Sequence, residues 1–139
     1  MGLISVIKRY YVMSYDTGNV QNPGFGTKIL QDNLAFKNLS AKCLQKGDKL
    51  TNQSNFSLLT LWPSADFVGK STSNLSPEAN NPDLNGFSVV QLLSYGSFKA
   101  LLTDDAVVIT EDKIVKEIGK IDVLKVPHHG SKTGLSSLF

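Results

Sequence analysis

The chain is poor in the residues that form disulfides and metal clusters. It has one cysteine, Cys43, and two histidines among 139 residues. A single cysteine excludes an intrachain disulfide and a zinc ribbon, and we interpret Cys43 as a small, half-buried apolar side chain. No apolar run approaches the roughly 18 residues of a membrane span, and no basic-then-apolar signal peptide begins the sequence. We therefore expect a soluble chain without a membrane span, whose compartment the composition leaves open.

A strong excess of one charge is also missing. The 14 lysine and arginine residues nearly balance the 12 acidic residues, so the formal net charge is +2. They are scattered along the chain, unlike the dense basic stripe of a dedicated nucleic-acid binder. The apolar share of 41% and charged share of 19% are typical of a globular protein. The length fits one ordinary domain, and we predict a single domain over residues 1–139.

The first third of the sequence predicts two helices and short strands. An amphipathic repeat predicts a helix over residues 3–11, and the segment 11–15 reads as a short strand. Thr27 is a candidate N-cap for a second helix. The segments 40–44 and 45–50 contain a Gly-Asp turn that predicts a hairpin.

The middle of the sequence has β character, interrupted by one long polar segment. An apolar run over residues 56–62 predicts a strand, which Pro63 ends. Residues 69–86 are dense in asparagine, serine, glycine and proline, so we predict a long surface loop that forms a wall of a substrate cleft. The segments 87–95 and 97–103 predict a second hairpin, with its tight turn at Gly96.

The last third predicts a helix followed by a strand. Thr110 is a candidate N-cap, and Gly119 suits the position after the helix end. Residues 121–126 form a β-branched run typical of a strand buried on both faces. Helices and strands therefore alternate, and we predict the α/β class, or α+β in layers, with a mixed sheet flanked by helices.

Polar residues that suit metal or proton chemistry follow two of these predicted strands. Asp104 and Asp105 follow one strand, and His128 and His129 follow the next. Taken separately, the first pair also reads as solvated turn residues and the second as a polar turn. If two neighbouring strands end on the same side of a sheet, the carboxylates and imidazoles meet. Zinc and manganese sites are built from such ligands.

The two strand-end motifs resemble those of a known family. The stretches "LLTDDA" and "DVLKVPHHGSKT" resemble the "LLTGD" and "VPHHGS" motifs in the metallo-β-lactamase-fold domain of ComEC-type competence proteins and their stand-alone hydrolase relatives. The resemblance extends back through "LLTLWPS" to "GLISVIKRYYV", which looks like the helix that follows the main metal motif of the family. It implies an αββα sandwich with two divalent metal ions, zinc or manganese, at one edge of its sheets.

The resemblance also implies roles for individual residues. Asp105 matches the carboxylate that bridges the two metal ions. Asp104 stands where the family has glycine, a departure that adds a charge and bulk beside the site. One histidine matches a metal ligand. We favour His129 for this role and His128 for a catalytic contact to the substrate phosphate, although the reverse assignment stays open.

The implied activity is metal-dependent hydrolysis of a phosphoester, with a nucleic-acid backbone and DNA uptake as the favoured context. Ser131 and Lys132 follow the two histidines within the motif, and we predict that they bind the substrate. Asn85 lies where family members have an asparagine-rich loop, so we count it with the substrate-binding residues. An esterase for a small phosphodiester shares the same site residues and remains an alternative.

The "HxHxDH" ligand cluster of the family has no counterpart in this sequence, which has no histidine before position 128. We therefore expect an internal fragment of the fold, inactive alone and binding metal weakly or not at all. The parent is either a domain of a membrane protein or a stand-alone bacterial protein. The second hypothesis is a non-catalytic binding half-domain that pairs with itself as a homo-oligomer, because truncation leaves strand edges exposed.

Overall fold

Four α-helices and seven strands make up the described part of the chain. The computed structural model describes residues 2–19, 25–52, 54–72, 84–132 and 134. The chain divides into two units, Met1–Cys43 and Leu44–Phe139, and the prediction of a single domain stays a prediction. The longest described helix has 12 residues, and no described helix has the length and apolar character needed to cross a membrane.

The first unit pairs two helices with a two-stranded sheet. Its elements are α1 (Gly2–Arg9), β1 (Tyr15–Thr17), α2 (Phe25–Phe36) and β2 (Ala41–Cys43). Helices α1 and α2 pack together, and Ile7 and Leu34 are buried. Strands β1 and β2 are parallel, with Tyr15 opposite Ala41.

Both helices predicted in this unit are present, with shifted ends. α1 ends at Arg9 and leaves Tyr11 exposed, and α2 begins before its predicted cap, Thr27. The strand predicted at 11–15 is wrong except for its last residue, because the parallel register with β2 selects Tyr15–Thr17. The interpretation of Cys43 as half-buried is also wrong, since this residue is exposed.

The second unit is a five-stranded mixed sheet with helices. Its elements are β3 (Lys49–Thr51), β4 (Phe56–Trp62), α3 (Ala65–Thr72), a 3-10 helix (Leu84–Phe87), β5 (Val90–Tyr95), β6 (Phe98–Leu102), α4 (Val108–Ile118), β7 (Val123–Leu124) and a second 3-10 helix (Pro127–Gly130). The strand order is β3-β4-β5-β6-β7. All pairs are antiparallel except β6–β7, which is parallel.

The core of this unit lies between one face of the sheet and α4. Leu92 and Leu101 lie directly opposite each other on β5 and β6, so both point to the same face. They belong to one buried cluster with Ile114 and Ile118 of α4. The α/β class is confirmed, with a mixed sheet and helices, whereas the αββα sandwich stays a prediction.

The two hairpins predicted from turn chemistry have different outcomes. The hairpin of β5 and β6 is confirmed, and Gly96 in its turn has the positive φ of 57° that glycine adopts without strain. The hairpin predicted over 40–50 is wrong. β2 pairs with β1 and β3 pairs with β4, so the turn at Gly47 connects two different sheets.

The long loop predicted over residues 69–86 is helical at both described ends. Residues 69–72 belong to α3, and residues 84–86 belong to the first 3-10 helix. The start of α3 is explained by Ser64, whose Oγ accepts the Phe67 N–H at 3.2 Å, and a Lys70–Asp66 ion pair one turn apart supports its exposed side. The remaining residues of the predicted loop, 73–83, lie outside the described residues.

The predicted helix after Asp105 and the strand that follows it are both present, with corrections. Helix α4 begins after Val107, so Thr110 is not its cap, and the described residues offer the buried Thr110 hydroxyl no hydrogen-bond partner. The strand predicted over 121–126 as buried on both faces is wrong. β7 is the edge strand beside β6, and Val123 is 49% exposed.

The topology of the second unit collects several chain segments at one edge of the sheet. β4, β6 and β7 run in the same direction, because β5 is antiparallel to both β4 and β6 and β6 is parallel to β7. Their carboxyl ends and the start of β5 therefore share one edge. In open α/β sheets, ligands bind at the carboxyl ends of the strands, so we expect a ligand site at this edge.

Replacing Leu101 by alanine tests the assignment of the core face. Leu101 is fully buried against α4, so we expect Leu101→Ala to lower the free energy of unfolding by about 2–5 kcal/mol. Leu50→Ala is the matched control, because Leu50 is 58% exposed and its loss is expected to change stability by about 0.5 kcal/mol or less. Urea unfolding followed by circular dichroism measures both. Equal losses in the two variants would contradict the assignment.

Candidate functional site

The candidate site lies where the parallel strands β6 and β7 end. Ala100 is opposite Val123 and Leu101 is opposite Leu124, and the ladder continues through the Lys125 N–H, which donates to the Leu101 carbonyl at 2.9 Å. Helix α4 connects the two strands and packs on the sheet. The residues that follow β6 and β7 are therefore brought side by side, as the sequence predicts.

After β6 the chain makes a turn that contains both aspartates. The Ala106 N–H donates to the Thr103 carbonyl at 3.0 Å, which places Asp104 and Asp105 in the middle of a β-turn. Asp104 has a positive φ of 51°. Aspartate tolerates this conformation better than most residues. Asp104 can therefore occupy a position that is glycine in the motif that this stretch resembles.

After β7 the chain turns through three residues in the left-handed region. His128 has φ 46°, His129 has φ 54° and Gly130 has φ 80°. The Ser131 N–H donates to the His128 carbonyl at 2.9 Å and closes this turn. The two imidazole rings diverge, with centroids 6.5 Å apart and planes at 65°, so the histidines face different surroundings.

His129 and Asp105 face each other across the two strand ends. The His129 Nε2 atom is 3.6 Å from the Asp105 Oδ1 atom. This separation exceeds that of an ordinary N–H···O hydrogen bond. The side chains are 85% and 39% exposed, respectively, so a ligand from solvent reaches both. The pair is an open carboxylate–imidazole arrangement rather than a closed structural contact.

The two atoms fit two ligands of one divalent ion. Ligand atoms that each lie about 2.1 Å from a tetrahedral zinc ion are about 3.4 Å apart, close to the 3.6 Å measured here. They do not by themselves form a two-metal centre. Within residues 2–19, 25–52, 54–72, 84–132 and 134, no group of three histidine, cysteine or acidic side chains has the spacing to hold a metal ion.

The other predicted site residues of this segment lie in the same turn or directly after it. The backbone N–H of His128 donates to the Asp104 carbonyl at 3.3 Å, and its side chain is partly buried. Ser131 is also partly buried, and Lys132 is exposed. Their predicted roles at a substrate, like that of His128 in catalysis, stay predictions.

Asn85 reaches the same edge of the sheet from a different element. It lies in the 3-10 helix that precedes β5, and its carbonyl accepts the Ser88 N–H at 3.1 Å. The next residue, Gly86, accepts the Trp62 indole N–H at 2.8 Å, which attaches this helix to the end of β4. Because β5 lies between β4 and β6, the topology places Asn85 near the site edge but not in the turn that holds Asp105. Its role in substrate binding stays a prediction.

Left-handed backbone is concentrated at this site. Five non-glycine residues in the described ranges have positive φ, and three of them are Asp104, His128 and His129. Such residues cost free energy and persist only where surrounding contacts hold them, commonly at binding and active sites. No sequence pattern points to Thr103 or Lys125, whose hydrogen bonds join the ends of β6 and β7.

Part of the chain is similar to a known protein. The chain is similar to Recombination protein 2 of Haemophilus influenzae, with 40% identity over 75 residues. The matched segment is 54% of this chain and 9% of the length of that protein. No protein-family model matches the chain.

Substitutions at Asp104 test the left-handed conformation. Asp104→Gly removes the strain of the positive φ but adds freedom to the unfolded chain, so we expect stability to change by about 1 kcal/mol or less. Asp104→Val removes the same charge but forces a β-branched residue into the left-handed region, and we expect a loss of about 1–2 kcal/mol relative to glycine. Urea unfolding of the pair measures the difference. Equal stabilities would contradict the assigned conformation.

Proposed function

We propose that this chain carries part of the metal site of a hydrolase that cleaves phosphoesters in nucleic acid. The carrying observation is the approach of the His129 Nε2 atom to within 3.6 Å of the Asp105 Oδ1 atom. It occurs at the carboxyl ends of two parallel strands, the usual position of ligand sites in such sheets. Both side chains are accessible to solvent, as a site for an external substrate requires.

In this proposal Asp105 and His129 hold a divalent ion, zinc or manganese. Such an ion activates water for attack and neutralises charge on the phosphate. The His128 ring diverges from that of His129, and we assign it to contact the phosphate; the exposed cation of Lys132 lies on the same loop. Catalytic zinc sites have three protein ligands, so we assign turnover to a longer protein that supplies the remaining ligands.

The nucleic-acid substrate is supported by the similarity to a protein named for recombination. Recombination acts on DNA, whose backbone is a phosphodiester, the class of bond that a metal-activated water cleaves. The similarity covers 9% of that protein, so its activity enters here only as support for the proposed substrate class. A function in DNA uptake is the biological context that we propose for this chemistry.

Calorimetric titration with zinc and manganese tests the proposed ligands. We expect Asp105→Ala and His129→Ala each to weaken metal binding by tenfold or more, because even residues that only support a metal ligand contribute about 10–100-fold to affinity. Asp112→Ala is the matched control, since Asp112 is an exposed carboxylate on α4. It is expected to leave the affinity unchanged.

Three results would contradict the proposal in different ways. An unchanged metal affinity in both Asp105→Ala and His129→Ala would contradict the proposed metal site. A loss in His128→Ala with none in His129→Ala would reverse the assignment of the two histidines. Stoichiometric tight zinc together with robust nuclease turnover by the 139-residue chain alone would contradict the assignment of turnover to a longer protein.

A second candidate function, self-association, is favoured by the other face of the sheet. One row of apolar residues crosses all five strands on this face, with each residue opposite the next: Leu50, Leu58, Leu93, Ala100 and Val123. Tyr95 and Phe98 form the next row on the same face, and they are 58% and 42% exposed. Within the first row Ala100 is buried, whereas Leu50 and Val123 at its two ends are exposed, and exposed apolar patches mark interaction sites. Neither row contains a charged residue, so two copies meet there without like-charge repulsion.

Light scattering after size-exclusion chromatography tests self-association. We expect a dimer whose fraction rises with protein concentration, and we expect Phe98→Lys to convert it to a monomer by placing a charge in the interface. Val108→Lys is the matched control, because Val108 is an exposed apolar residue on α4 rather than on the sheet. A wild-type chain that stays monomeric at all concentrations, or equal effects of the two lysines, would exclude this candidate.

A further inference from the structure

We infer that Lys125 and Thr103 are positioning residues that hold Asp105 and His129 in their facing arrangement. The inference rests on the proposed metal site and adds two residues to it. Both residues make hydrogen bonds to backbone carbonyls at the ends of β6 and β7.

Lys125 makes three hydrogen bonds to residues in and directly after the end of β6. Its N–H donates to the Leu101 carbonyl at 2.9 Å, and its carbonyl accepts the Thr103 hydroxyl at 2.7 Å. Its side-chain Nζ donates to the Asp104 carbonyl at 2.8 Å. Thr103 is buried, and a buried hydroxyl that lacks a hydrogen bond costs free energy. Lys125 therefore fastens the end of β7 to the end of β6.

The Asp104 carbonyl links these hydrogen bonds to the site. It accepts the Lys125 ammonium and also the His128 N–H, at 3.3 Å. This carbonyl belongs to the peptide group that begins Asp105, and the His128 N–H lies one residue before His129. The orientation of the Asp104 carbonyl therefore determines how the backbone presents both facing side chains. Its direction depends in turn on the left-handed conformation of Asp104.

The strained backbone explains why such support is needed. Asp104, His128 and His129 all have positive φ, and residues in this region relax when the contacts around them are removed. The hydrogen bonds from Lys125 and Thr103 connect the two turns that contain these residues. Without them, we expect the turns to relax and the carboxylate and imidazole to separate.

Paired substitutions separate positioning from other roles. Lys125→Met removes the ammonium but keeps the apolar stem, whereas Lys125→Arg keeps a cationic donor. Thr103→Val removes the hydroxyl at nearly constant volume, whereas Thr103→Ser keeps it. Lys120→Met is the matched control, since Lys120 is an exposed lysine before β7. Circular dichroism and thermal unfolding of each variant establish that the chain is folded.

Two measurements on the 139-residue chain test the inference. In zinc calorimetry, we expect Lys125→Met and Thr103→Val to weaken binding about tenfold, the scale of loss for residues that orient metal ligands. We expect Lys125→Arg and Thr103→Ser to restore most of the affinity. In metal-free NMR spectra, we expect the first two variants to shift the His129 ring and Asp105 amide resonances, and Lys120→Met to leave them in place.

The outcomes distinguish this inference from the proposed function. If the wild-type chain binds no zinc, the proposed metal site fails, and the NMR spectra alone decide whether Lys125 and Thr103 position the two side chains. Unchanged His129 and Asp105 resonances in both Lys125→Met and Thr103→Val would overturn the inference. An unchanged zinc affinity in these variants beside a loss in Asp105→Ala would overturn it while leaving the metal site intact.

Discussion

The parallel pairing of β6 with β7 is the interaction on which the candidate site depends. These are two short strands connected through α4, and their shared ladder is only a few residues long. Its register is specified by side chains, because Leu101 and Leu124 lie opposite each other and both pack toward the core under α4. A slip of one residue would turn Leu124 away from the core and move His129 away from Asp105.

The sheet of the second unit has two apolar faces rather than one. The face under α4 contains Leu92 and Leu101, while the opposite face contains Leu93 and Ala100 on the same two strands. Strands that are apolar on both sides are typical of sheets that lie between two layers. This pattern is the basis for the proposed self-association.

The chemistry proposed for the site depends on an energetically unfavourable backbone. The turn after β6 and the turn after β7 both place non-glycine residues in the left-handed region. The benefit is geometric, because the two turns direct a carboxylate and an imidazole toward each other while leaving both accessible. We infer that the hydrogen bonds of Lys125 and Thr103 offset this strain; the Thr103 bond is partly buried, and the bond from the Lys125 ammonium is exposed to solvent. Stability and site geometry are therefore coupled through the same few residues.

Local sequence patterns were sufficient for the elements that depend on neighbouring residues. The helical repeat located α1, the apolar run located β4, and the turn chemistry at Gly96 located the hairpin of β5 and β6. The alternation of strands and helices also predicted the α/β class. The order of motifs predicted that the pair Asp104–Asp105 and the pair His128–His129 meet at the ends of neighbouring strands, because a strand–helix–strand unit brings those ends to one edge.

Pairing partners, backbone conformation and long-range hydrogen bonds required the folded structure. The sequence between β2 and β3 has good turn chemistry, yet each strand pairs elsewhere, because the energy of a strand depends on partners distant in the chain. The choice of His129 over His128 as the residue that faces Asp105 follows from successive left-handed residues, which no local pattern predicts. The roles inferred for Thr103 and Lys125 arise from bonds between residues more than 20 positions apart. Periodicity along the chain contains no information on such contacts, whereas the register between β6 and β7 creates them.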